Sequence, residues 1–311
     1  MTRHFLRDDD VDQHEQRTIL RRALALRQDR FALRPLEGPR AVALVFDKHS
    51  TRTRVSFSVG VAELGGYPLV IDATTSQMGR GESVADTTRV LDRQCSAIVW
   101  RTFAQSGLAE MAAVSAVPVV NALTDTFHPC QVLADLMTVA QHTPGGVDAL
   151  PGRVLTYLGD GGNNMAHSYL LGGAVAGLHV RVATPAERLP DARVLADAVE
   201  VAARTGGSVS VLHDAAAAVR GAHVLATDTW VSMGGEVSDA EAERLFTPFR
   251  LDAALLATAE PGALVLHCLP AYRGKEITGD VIDGPQSVVW DEAENRLHAQ
   301  KALLCWLLEQ S

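Results

Sequence analysis

Short apolar runs rich in β-branched residues alternate with segments of helical periodicity along most of this chain. The runs that we predict to be strands are 42–46, 67–71, 97–100, 117–120, 154–158, 179–183, 208–212, 223–226, 263–266 and 287–290. The segments with helical spacing are 55–64, 84–93, a run from about Pro129, 164–176, 192–204, 239–246 and 292–308. Strands that alternate with helices form parallel sheets joined by right-handed crossovers. The pattern therefore predicts an α/β fold with helices flanking parallel β-sheets.

A turn-forming break at Thr143-Pro144-Gly145-Gly146 divides the chain into two domains. The chain has 311 residues, of which 47% are apolar, which exceeds one typical domain and suffices for more than one core. We predict one domain over 1–143 and a second over 144–291, each with its own parallel sheet. The final helix, 292–311, is expected to pack back on the first domain.

Charge and cysteine usage exclude several classes of partner. The formal net charge of −9 argues against general attraction to nucleic acid or acidic membranes, so any anion site must be a local arginine cluster. Cys95, Cys130, Cys268 and Cys305 form no C-x-x-C pair, which argues against a disulfide framework or a zinc ribbon. The first residues lack an apolar signal region, and no run is long enough to span a membrane. We therefore expect a protein of the reducing cytoplasm.

The segment Ser50-Thr51-Arg52-Thr53-Arg54 lies between a predicted strand and a predicted helix. Unpaired amides at a helix start, the positive end of the helix dipole and two guanidinium groups all favour a phosphate or similar dianion. The alternative is a Ser or Thr cap followed by solvated arginines, because helix caps prefer these residues.

Polar segments follow other predicted strands in the same way. They contain Gln77, Arg101, His128 to Gln131, Asp160 to Asn164, Asp228 to Gly234, and His267 to Pro270. Ligands bind outside the carboxyl ends of strands in open parallel sheets. Because such segments occur in both halves, we expect a single active site in the cleft between the two domains.

Four motifs occur in a characteristic order: S-T-R-T-R at 50–54, H-P-C-Q at 128–131, D-x-x-x-S-M-G at 228–234 and H-C-L-P at 267–270. Together they resemble the ornithine carbamoyltransferases, and the similarity extends over essentially the whole chain. The first two motifs are shared with aspartate carbamoyltransferases. The last two are the more specific ones and indicate ornithine.

The resemblance implies an enzyme of arginine metabolism. Such enzymes transfer the carbamoyl group of carbamoyl phosphate to the δ-amine of L-ornithine, which gives L-citrulline and phosphate. It also implies no metal, no cofactor, and self-association as a homotrimer with shared active sites. The first domain would bind carbamoyl phosphate and the second would bind ornithine.

The resemblance assigns most site residues to carbamoyl phosphate. These are Ser50, Thr51, Arg52, Thr53, Gln77, Arg101, His128, Pro129, Cys130, Gln131, Cys268, Leu269 and Arg296. Gln77 would reach the site of a neighbouring subunit, and Arg296 would return from the final helix. His128 and Gln131 would face the carbamoyl oxygen, which gains charge in the tetrahedral intermediate. The residues expected to act in catalysis are Arg52, Arg101, His128, Gln131, Asp228 and Cys268.

The expected ornithine ligands are Asn164, Asp228, Ser232 and Met233. Asp228 supplies an anion for the α-ammonium group, and the amide of Asn164 can serve either α-carbon charge. The segment Gly235-Glu236-Val237-Ser238 departs from the family, where a glutamine is expected after S-M-G. This departure concerns the mobility of the substrate loop more than its contacts.

We interpret Cys268 as an orienting or proton-handling group near the δ-amine and not as a covalent nucleophile, because the amine itself attacks. On an extended strand His267 would point away from Cys268, which argues against a Cys–His pair. The alternative for Cys268 is a buried, inert cysteine.

The sequence distinguishes this function from several others. A dinucleotide-binding dehydrogenase is rejected because Gly159 to Asn164 does not match G-x-G-x-x-G and no ribose-binding acid follows the next strand. A noncatalytic two-domain binding protein would explain the clefts but not two separate ligand sites. Among acceptors, aspartate would need cations, for which Arg273 is available, and putrescine or N-acetylornithine remain alternatives.

Overall fold

The computed structural model of the protein describes residues 2–72, 77–78, 81–231 and 238–310. The chain forms two units. The first comprises Met1–Met137 together with Glu294–Ser311, and the second comprises Thr138–Ala293. Short 3-10 turns occur at Asp8–Asp10, Gly146–Ala149 and Thr247–Phe249.

The first unit alternates strands and helices. In chain order its elements are α1 (Gln13–Gln28), β1 (Ala41–Phe46), α2 (Thr51–Glu63), β2 (Tyr67–Asp72), α3 (Val84–Leu91), β3 (Ala97–Arg101), α4 (Gln105–Val114), β4 (Val119–Leu123) and α5 (Pro129–Gln141). The last turns of α5 lie beyond the boundary of this unit.

The first sheet is parallel, with its four strands in the order β2-β1-β3-β4. Every residue of β1 after Ala41 is buried, as expected for a central strand covered on both faces. One part of the core packs Val45 and Ile98 of the sheet against Leu108 and Met111 of α4. The strand order reverses between β1 and β3, so their carboxyl ends form the switch point where ligands bind in such sheets.

The second unit continues the alternation. In chain order its elements are β5 (Val154–Leu158), α6 (Asn164–Val175), β6 (His179–Ala183), α7 (Ala192–Thr205), β7 (Ser208–Leu212), α8 (Ala215–Val219), β8 (Val224–Thr227), α9 (Asp239–Phe246), α10 (Ala253–Leu256), β9 (Leu264–His267), α11 (Gly279–Ile282) and α12 (Val289–Glu309). From Glu294 onwards, α12 belongs to the first unit.

The second sheet is parallel, with its five strands in the order β7-β6-β5-β8-β9. The order reverses between β5 and β8, so the segments after Leu158 and Thr227 lie at its switch point. A core cluster that includes Leu225, Val265 and Ile277 supports this part of the sheet. The predicted fold class, with parallel sheets flanked by helices in two domains, is confirmed.

Three predicted elements differ from the structure. The strand at 287–290 is wrong: Ser287 makes an isolated bridge to Val265, and α12 begins at Val289. The buried pair Val288-Val289 imitates a strand in sequence because a helix start that packs into a core is equally apolar. The strand predicted at 117–120 is shifted to β4, and the helix predicted at 55–64 already begins at Thr51.

No helix in the described residues combines the length and the apolarity that crossing a bilayer requires.

Candidate active site

The S-T-R-T-R segment forms the N-terminus of α2 at the switch point of the first sheet. Ser50 is the N-cap residue, and its Oγ accepts a hydrogen bond of 3.2 Å from the N–H of Thr53. The N–H groups in the first turn of a helix lack partners within the helix, and the dipole is positive there. This end of α2 therefore favours an anionic ligand.

Two guanidinium groups meet at the Thr53 hydroxyl, which is fully buried. Arg296 of α12 donates from Nη2 to Thr53 Oγ1 at 2.9 Å and from Nη1 to Gln131 Oε1 at 3.0 Å. Arg101, at the end of β3, donates from Nη1 to Thr53 Oγ1 at 3.4 Å. Four predicted ligands from four separate elements are thus brought together: Thr53 of α2, Arg101 of β3, Gln131 of α5 and Arg296 of α12.

His128 lies directly before α5, and only 4% of its surface is exposed. Burial holds the pKa of the imidazole well below its usual value, and the positive charges of Arg296, Arg101 and Arg52 lower the pKa further. A neutral imidazole carries one N–H donor and one acceptor nitrogen. His128 can therefore donate a hydrogen bond while the net positive charge of the site remains with the arginines.

The next residues of the H-P-C-Q motif are held by neighbours that the sequence analysis did not single out. Gln131 Nε2 donates to Asp135 Oδ1 at 2.8 Å, one helical turn further along α5. Cys130 donates from Sγ to the carbonyl oxygen of Asn121 at 3.3 Å, and burial raises the pKa of its thiol to about 12. Cys130 is therefore a neutral thiol whose sulfur contacts a main-chain oxygen, and its assignment to carbamoyl phosphate stays a prediction.

The two arginines of S-T-R-T-R have different surroundings. Arg52 is exposed at the helix start and contributes to the positive potential at His128. Arg54 instead pairs with Asp72 of β2, at 3.1 Å, and its guanidinium lies over the Phe46 ring. Of the two arginines in the motif, only Arg52 is among the residues that the resemblance assigns to carbamoyl phosphate, and the printed contacts of Arg54 are with residues of β1 and β2.

Gln77 is exposed and lies between two stretches outside the described residues, 73–76 and 79–80. Its carbonyl oxygen accepts a hydrogen bond of 3.0 Å from the N–H of Glu82. The neighbouring Met78 packs against the core of the first unit. Gln77 is thus not one of the residues gathered around Thr53 and His128, and its assignment to a neighbouring subunit stays a prediction.

In the second unit, Asp228 and Cys268 lie side by side after β8 and β9. The Cys268 thiol donates to Asp228 Oδ1 at 3.1 Å, and the N–H of Thr229 donates to the same oxygen at 2.7 Å. Burial raises the pKa of the Asp228 carboxyl above its usual value, while His267, the Cys268 thiol and the Thr229 N–H act in the opposite direction. A cation that pairs with Asp228 would compensate for this burial.

Asn164 opens α6 at the switch point of the second sheet. The preceding residue, Asn163, caps this helix through Oδ1, which accepts the Ala166 N–H at 2.9 Å, and donates from Nδ2 to Tyr157 Oη at 2.8 Å. Burial, and then the charge of Asp228, raises the pKa of Tyr157 well above its usual value, so the phenol stays neutral. Tyr157 is not among the predicted site residues, because in the sequence it is one apolar residue within the buried strand β5.

Asp160 and Arg273, which follow strands of the second sheet, each form an ion pair with another residue of the second unit. Asp160 forms a two-point ion pair with Arg188, at 2.9 and 2.6 Å. Arg273 forms a similar pair with Asp283, at 2.8 and 2.6 Å, on an exposed surface. Arg273, the cation considered for an aspartate carboxylate, is therefore bound by an acid of its own chain.

His267 does not point away from Cys268 as predicted. One ligand atom from each of Asp228, His267 and Cys268 lies within 4.8 Å of the other two, a spacing that could suit a metal ion. The prediction was wrong because β9 ends at His267, so Cys268 no longer follows strand geometry. Both ring nitrogens of His267 are hydrogen bonded, to the Leu269 N–H and to Glu276, so the three groups are not a preformed ligand set.

Ser232 and Met233, the predicted loop ligands, lie outside the described residues. The departure from the family pattern at 235–237 lies there too. Ser238, which follows, is described and caps α9 by accepting the Glu241 N–H at 3.3 Å.

Comparison with known families agrees with the motifs. Residues 3–141 match the carbamoyl-P binding domain of aspartate/ornithine carbamoyltransferase, and residues 151–307 match the Asp/Orn binding domain of the same family. The chain belongs to the aspartate/ornithine carbamoyltransferase family.

Individual relatives are similar over nearly the full length. An ornithine carbamoyltransferase of Bifidobacterium longum subsp. infantis is 62% identical over 305 residues, which cover 98% of this chain and 95% of the relative. An ornithine carbamoyltransferase of Clavibacter sepedonicus is 60% identical over 311 residues, which cover 100% of this chain and 100% of the relative. The solved structure of the ornithine carbamoyltransferase from Pyrococcus furiosus aligns with a TM-score of 0.92 at 44% identity and covers 99% of this chain and 97% of that one.

Proposed function

We propose that this protein transfers the carbamoyl group of carbamoyl phosphate to the δ-amine of L-ornithine and releases L-citrulline and phosphate. The observation that carries this proposal is the meeting of Arg101 and Arg296 at Thr53 in the first turn of α2, with Arg52 on the same turn. The buried His128, directly before α5, is close enough for the charges of all three arginines to lower its pKa. This arrangement provides a site for a dianion and, next to it, the neutral imidazole of His128 as a hydrogen-bond donor. Carbamoyl phosphate combines a phosphate dianion with a polar carbonyl group and so matches both parts.

The first unit supplies the phosphate ligands in this proposal. The amides of the first turn of α2, with Ser50 and Thr53, face the phosphate together with the guanidinium groups. Charge-assisted hydrogen bonds of this kind are about twice as strong as neutral ones. The arginines also stabilise the charge that phosphate gains when it leaves.

His128 then acts on the carbonyl oxygen. Nucleophilic attack puts negative charge on this oxygen, and an N–H donor aimed at it stabilises the tetrahedral intermediate. Loss of one such donor typically raises the barrier by about 3 kcal/mol. Gln131, which lies in the first turn of α5 and is hydrogen bonded to Arg296 and Asp135, holds the same surroundings in place.

The second unit supplies the acceptor ligands. Asp228 pairs with the α-ammonium group of ornithine, and Asn164, at the N-terminus of α6, faces the α-carboxylate. Cys268 lies against Asp228 and borders the side chain of the acceptor. The ion pair between Arg273 and Asp283 favours ornithine over aspartate, because it occupies the cation that a second carboxylate would need.

The reaction needs few chemical groups from the protein. The δ-ammonium loses one proton to solvent, and the lone pair of the amine attacks the carbonyl carbon, so that a C–N bond forms and the carbonyl electrons move to the oxygen. When the tetrahedral intermediate collapses, the C–O bond to phosphate breaks with its electron pair, and the second proton of the amine passes to the departing phosphate. Holding two substrates in line can lower such a barrier by about 7–11 kcal/mol.

We also propose that the protein assembles into a trimer in which Gln77 completes the site of a neighbouring subunit. Apolar side chains that a second copy of the chain could cover are exposed on the first unit: Val55, Val59, Tyr67, Val70 and Val90. Several of them lie on α2 and β2, next to the segment that carries Gln77. A closed ring gives every subunit the same head-to-tail contact.

The reducing environment expected from the cysteines belongs to the same proposal. All four cysteines are free thiols, and Cys95, Cys130 and Cys305 are buried. We therefore infer that the protein works in the cytoplasm.

The direct test supplies purified protein with carbamoyl phosphate and ornithine and follows citrulline and phosphate together. The proposal requires equal amounts of the two products. Phosphate release without citrulline would show hydrolysis of carbamoyl phosphate and would contradict the transfer.

A further inference from the structure

Leu269 has an unusual backbone conformation directly beside the predicted acceptor site. Its φ of 57° lies in the left-handed region, and it is the only non-glycine residue with a positive φ in the described part of the chain. Bulky side chains rarely adopt this conformation, which persists only where the surroundings determine it. A structural device must therefore hold Leu269, and with it Cys268, in place.

The His267 ring provides this device. The N–H of Leu269 donates to His267 Nδ1 at 2.9 Å, so Nδ1 is the acceptor nitrogen and the ring proton belongs on Nε2. Nε2 faces Glu276 Oε1 at 3.2 Å. Both side chains are fully buried, which makes an unpaired partner costly.

Further hydrogen bonds fix the two ends of this pair. Glu276 Oε1 also accepts the Tyr272 N–H at 2.5 Å, which secures the chain after the H-C-L-P motif. Glu292, another fully buried acid, accepts the main-chain N–H of His267 at 2.8 Å. The segment between β9 and Tyr272 is thus held by two buried carboxylates, those of Glu276 and Glu292.

We propose that His267 and Glu276 are a positioning unit for the acceptor amine. Glu276 fixes the tautomer and the orientation of the ring, and the ring holds the Leu269 backbone, so that the Cys268 thiol and Leu269 face the amine. Neither His267 nor Glu276 touches a substrate. The inference rests on the proposed function, because it assumes that Cys268 and Leu269 border ornithine.

Two substitutions at one position separate the two hydrogen bonds. In His267→Asn, the side-chain oxygen can accept the N–H two residues further on, as in an Asx turn, but it cannot reach Glu276. In His267→Gln, the longer amide can donate to Glu276, but the acceptor for Leu269 is lost. The first variant keeps the bond that positions the loop, and the second keeps the bond to the buried carboxylate.

The expected result is a separation of stability from activity. His267→Gln should lower kcat/KM for ornithine by about 10- to 100-fold, the usual effect of losing a group that orients a ligand. Its affinity for carbamoyl phosphate, measured alone by calorimetry, should change by less than about threefold. His267→Asn should lower the melting temperature further than His267→Gln does, yet keep kcat/KM for ornithine within about fivefold of wild type.

His223→Asn is the matched control. His223 also accepts a main-chain N–H through Nδ1, from Val154 at 3.1 Å, but it lies at the opposite ends of the strands of the same sheet. This substitution should leave kcat/KM for ornithine unchanged.

If a His267 variant does not fold, two variants of Glu276 test the positioning role instead. Glu276→Gln can still present one oxygen to both N–H donors, whereas Glu276→Ala cannot. The proposal requires the glutamine variant to stay near wild type in kcat/KM for ornithine and the alanine variant to fall about tenfold or more. Equal values for the two variants would contradict it.

The outcomes distinguish this inference from the proposed function. Wild-type protein that makes no citrulline contradicts the proposed function. Active wild type, with ornithine kinetics in the His267 variants that simply follow their melting temperatures, contradicts the positioning role alone.

Discussion

Arg54 donates a hydrogen bond of 3.1 Å from Nη2 to Asp72 Oδ2, and its guanidinium group stacks 4.6 Å above the Phe46 ring. Arg52, two residues earlier on the same helix, instead adds positive charge to the surroundings of His128. The two arginines of the S-T-R-T-R motif therefore have separate surroundings, one near His128 and one against residues of β1 and β2.

Arg52→Ala and Arg54→Ala should differ accordingly. We expect Arg52→Ala to weaken carbamoyl phosphate binding by about 2–5 kcal/mol, because a phosphate charge loses its partner. Arg52→Lys should restore only part of this, since a point charge cannot replace the planar fork. Arg54→Ala is the matched control and should lower stability but change the affinity for carbamoyl phosphate by less than about threefold. Calorimetric titration of each folded variant measures both effects, and equal losses of affinity would contradict the division of roles.

His128 predicts how stability depends on pH. Its pKa is depressed in the folded protein, so the unfolded chain binds a proton first as the pH falls below about 6.5. The contribution of a neutral His128 is therefore present above that pH and is lost as the pH falls toward the folded pKa. Each pH unit in this window is worth at most about 1.4 kcal/mol.

Denaturant unfolding at about pH 7.5 and about pH 5.5 tests this, with His128→Gln as the comparison. Glutamine does not titrate, so the variant should lose less stability between the two pH values than the wild type does. An identical loss in both proteins would show that His128 is not held neutral.

Asp228→Asn should raise the stability of the protein and lower its activity with ornithine. The folded pKa of Asp228 is raised by burial, so its ionised form costs free energy as the pH rises through that pKa. Asparagine is neutral and can still accept from Cys268 and Thr229. We expect a higher melting temperature without ornithine, a kcat/KM for ornithine at least about tenfold lower, and nearly unchanged affinity for carbamoyl phosphate. A parallel loss of both ligands would indicate misfolding instead.

Shared active sites can be tested by mixing two inactive variants. Gln77→Ala damages the donated segment, and Arg101→Ala damages the receiving site. Some interfaces in a mixed ring then pair an intact segment with an intact site, so partial activity should return after co-refolding. Each variant alone must be nearly inactive. Mixed oligomers, confirmed by mass, that regain no activity would show that Gln77 acts within its own chain.

Local patterns were the part of the fold that the sequence could predict. The strand β1 follows from an apolar run in the local sequence, and its prediction is confirmed. The helix after it was also predicted, but it begins four residues earlier than its apolar periodicity indicated, at Thr51. The resemblance to ornithine carbamoyltransferases is confirmed as well, because motifs carry the ligand-facing residues in a fixed order. The prediction of a strand at 287–290 was wrong, because apolar, β-branched residues occur at buried helix starts as well as in strands.

Tertiary contacts were beyond local patterns. Arg296 and Thr53 are 243 residues apart, and only family resemblance brought Arg296 into the predicted site. Glu276 was missed because Lys275-Glu276 resembles a solvated pair of charges, whereas the Glu276 side chain is fully buried. The side chains of His267 and Cys268 lie close together where the chain turns at Leu269. This turn could not be predicted, because it needs a left-handed backbone conformation that leucine disfavours.

The choice of acceptor is the central claim. The measurement that tests it most directly is kcat/KM for ornithine, aspartate, putrescine and N-acetylornithine at saturating carbamoyl phosphate. Ornithine should exceed each of the others by at least about tenfold, because each competitor leaves a polar or charged group of the site or of the substrate unpaired. A higher kcat/KM for any one of the other three acceptors would contradict the proposed function.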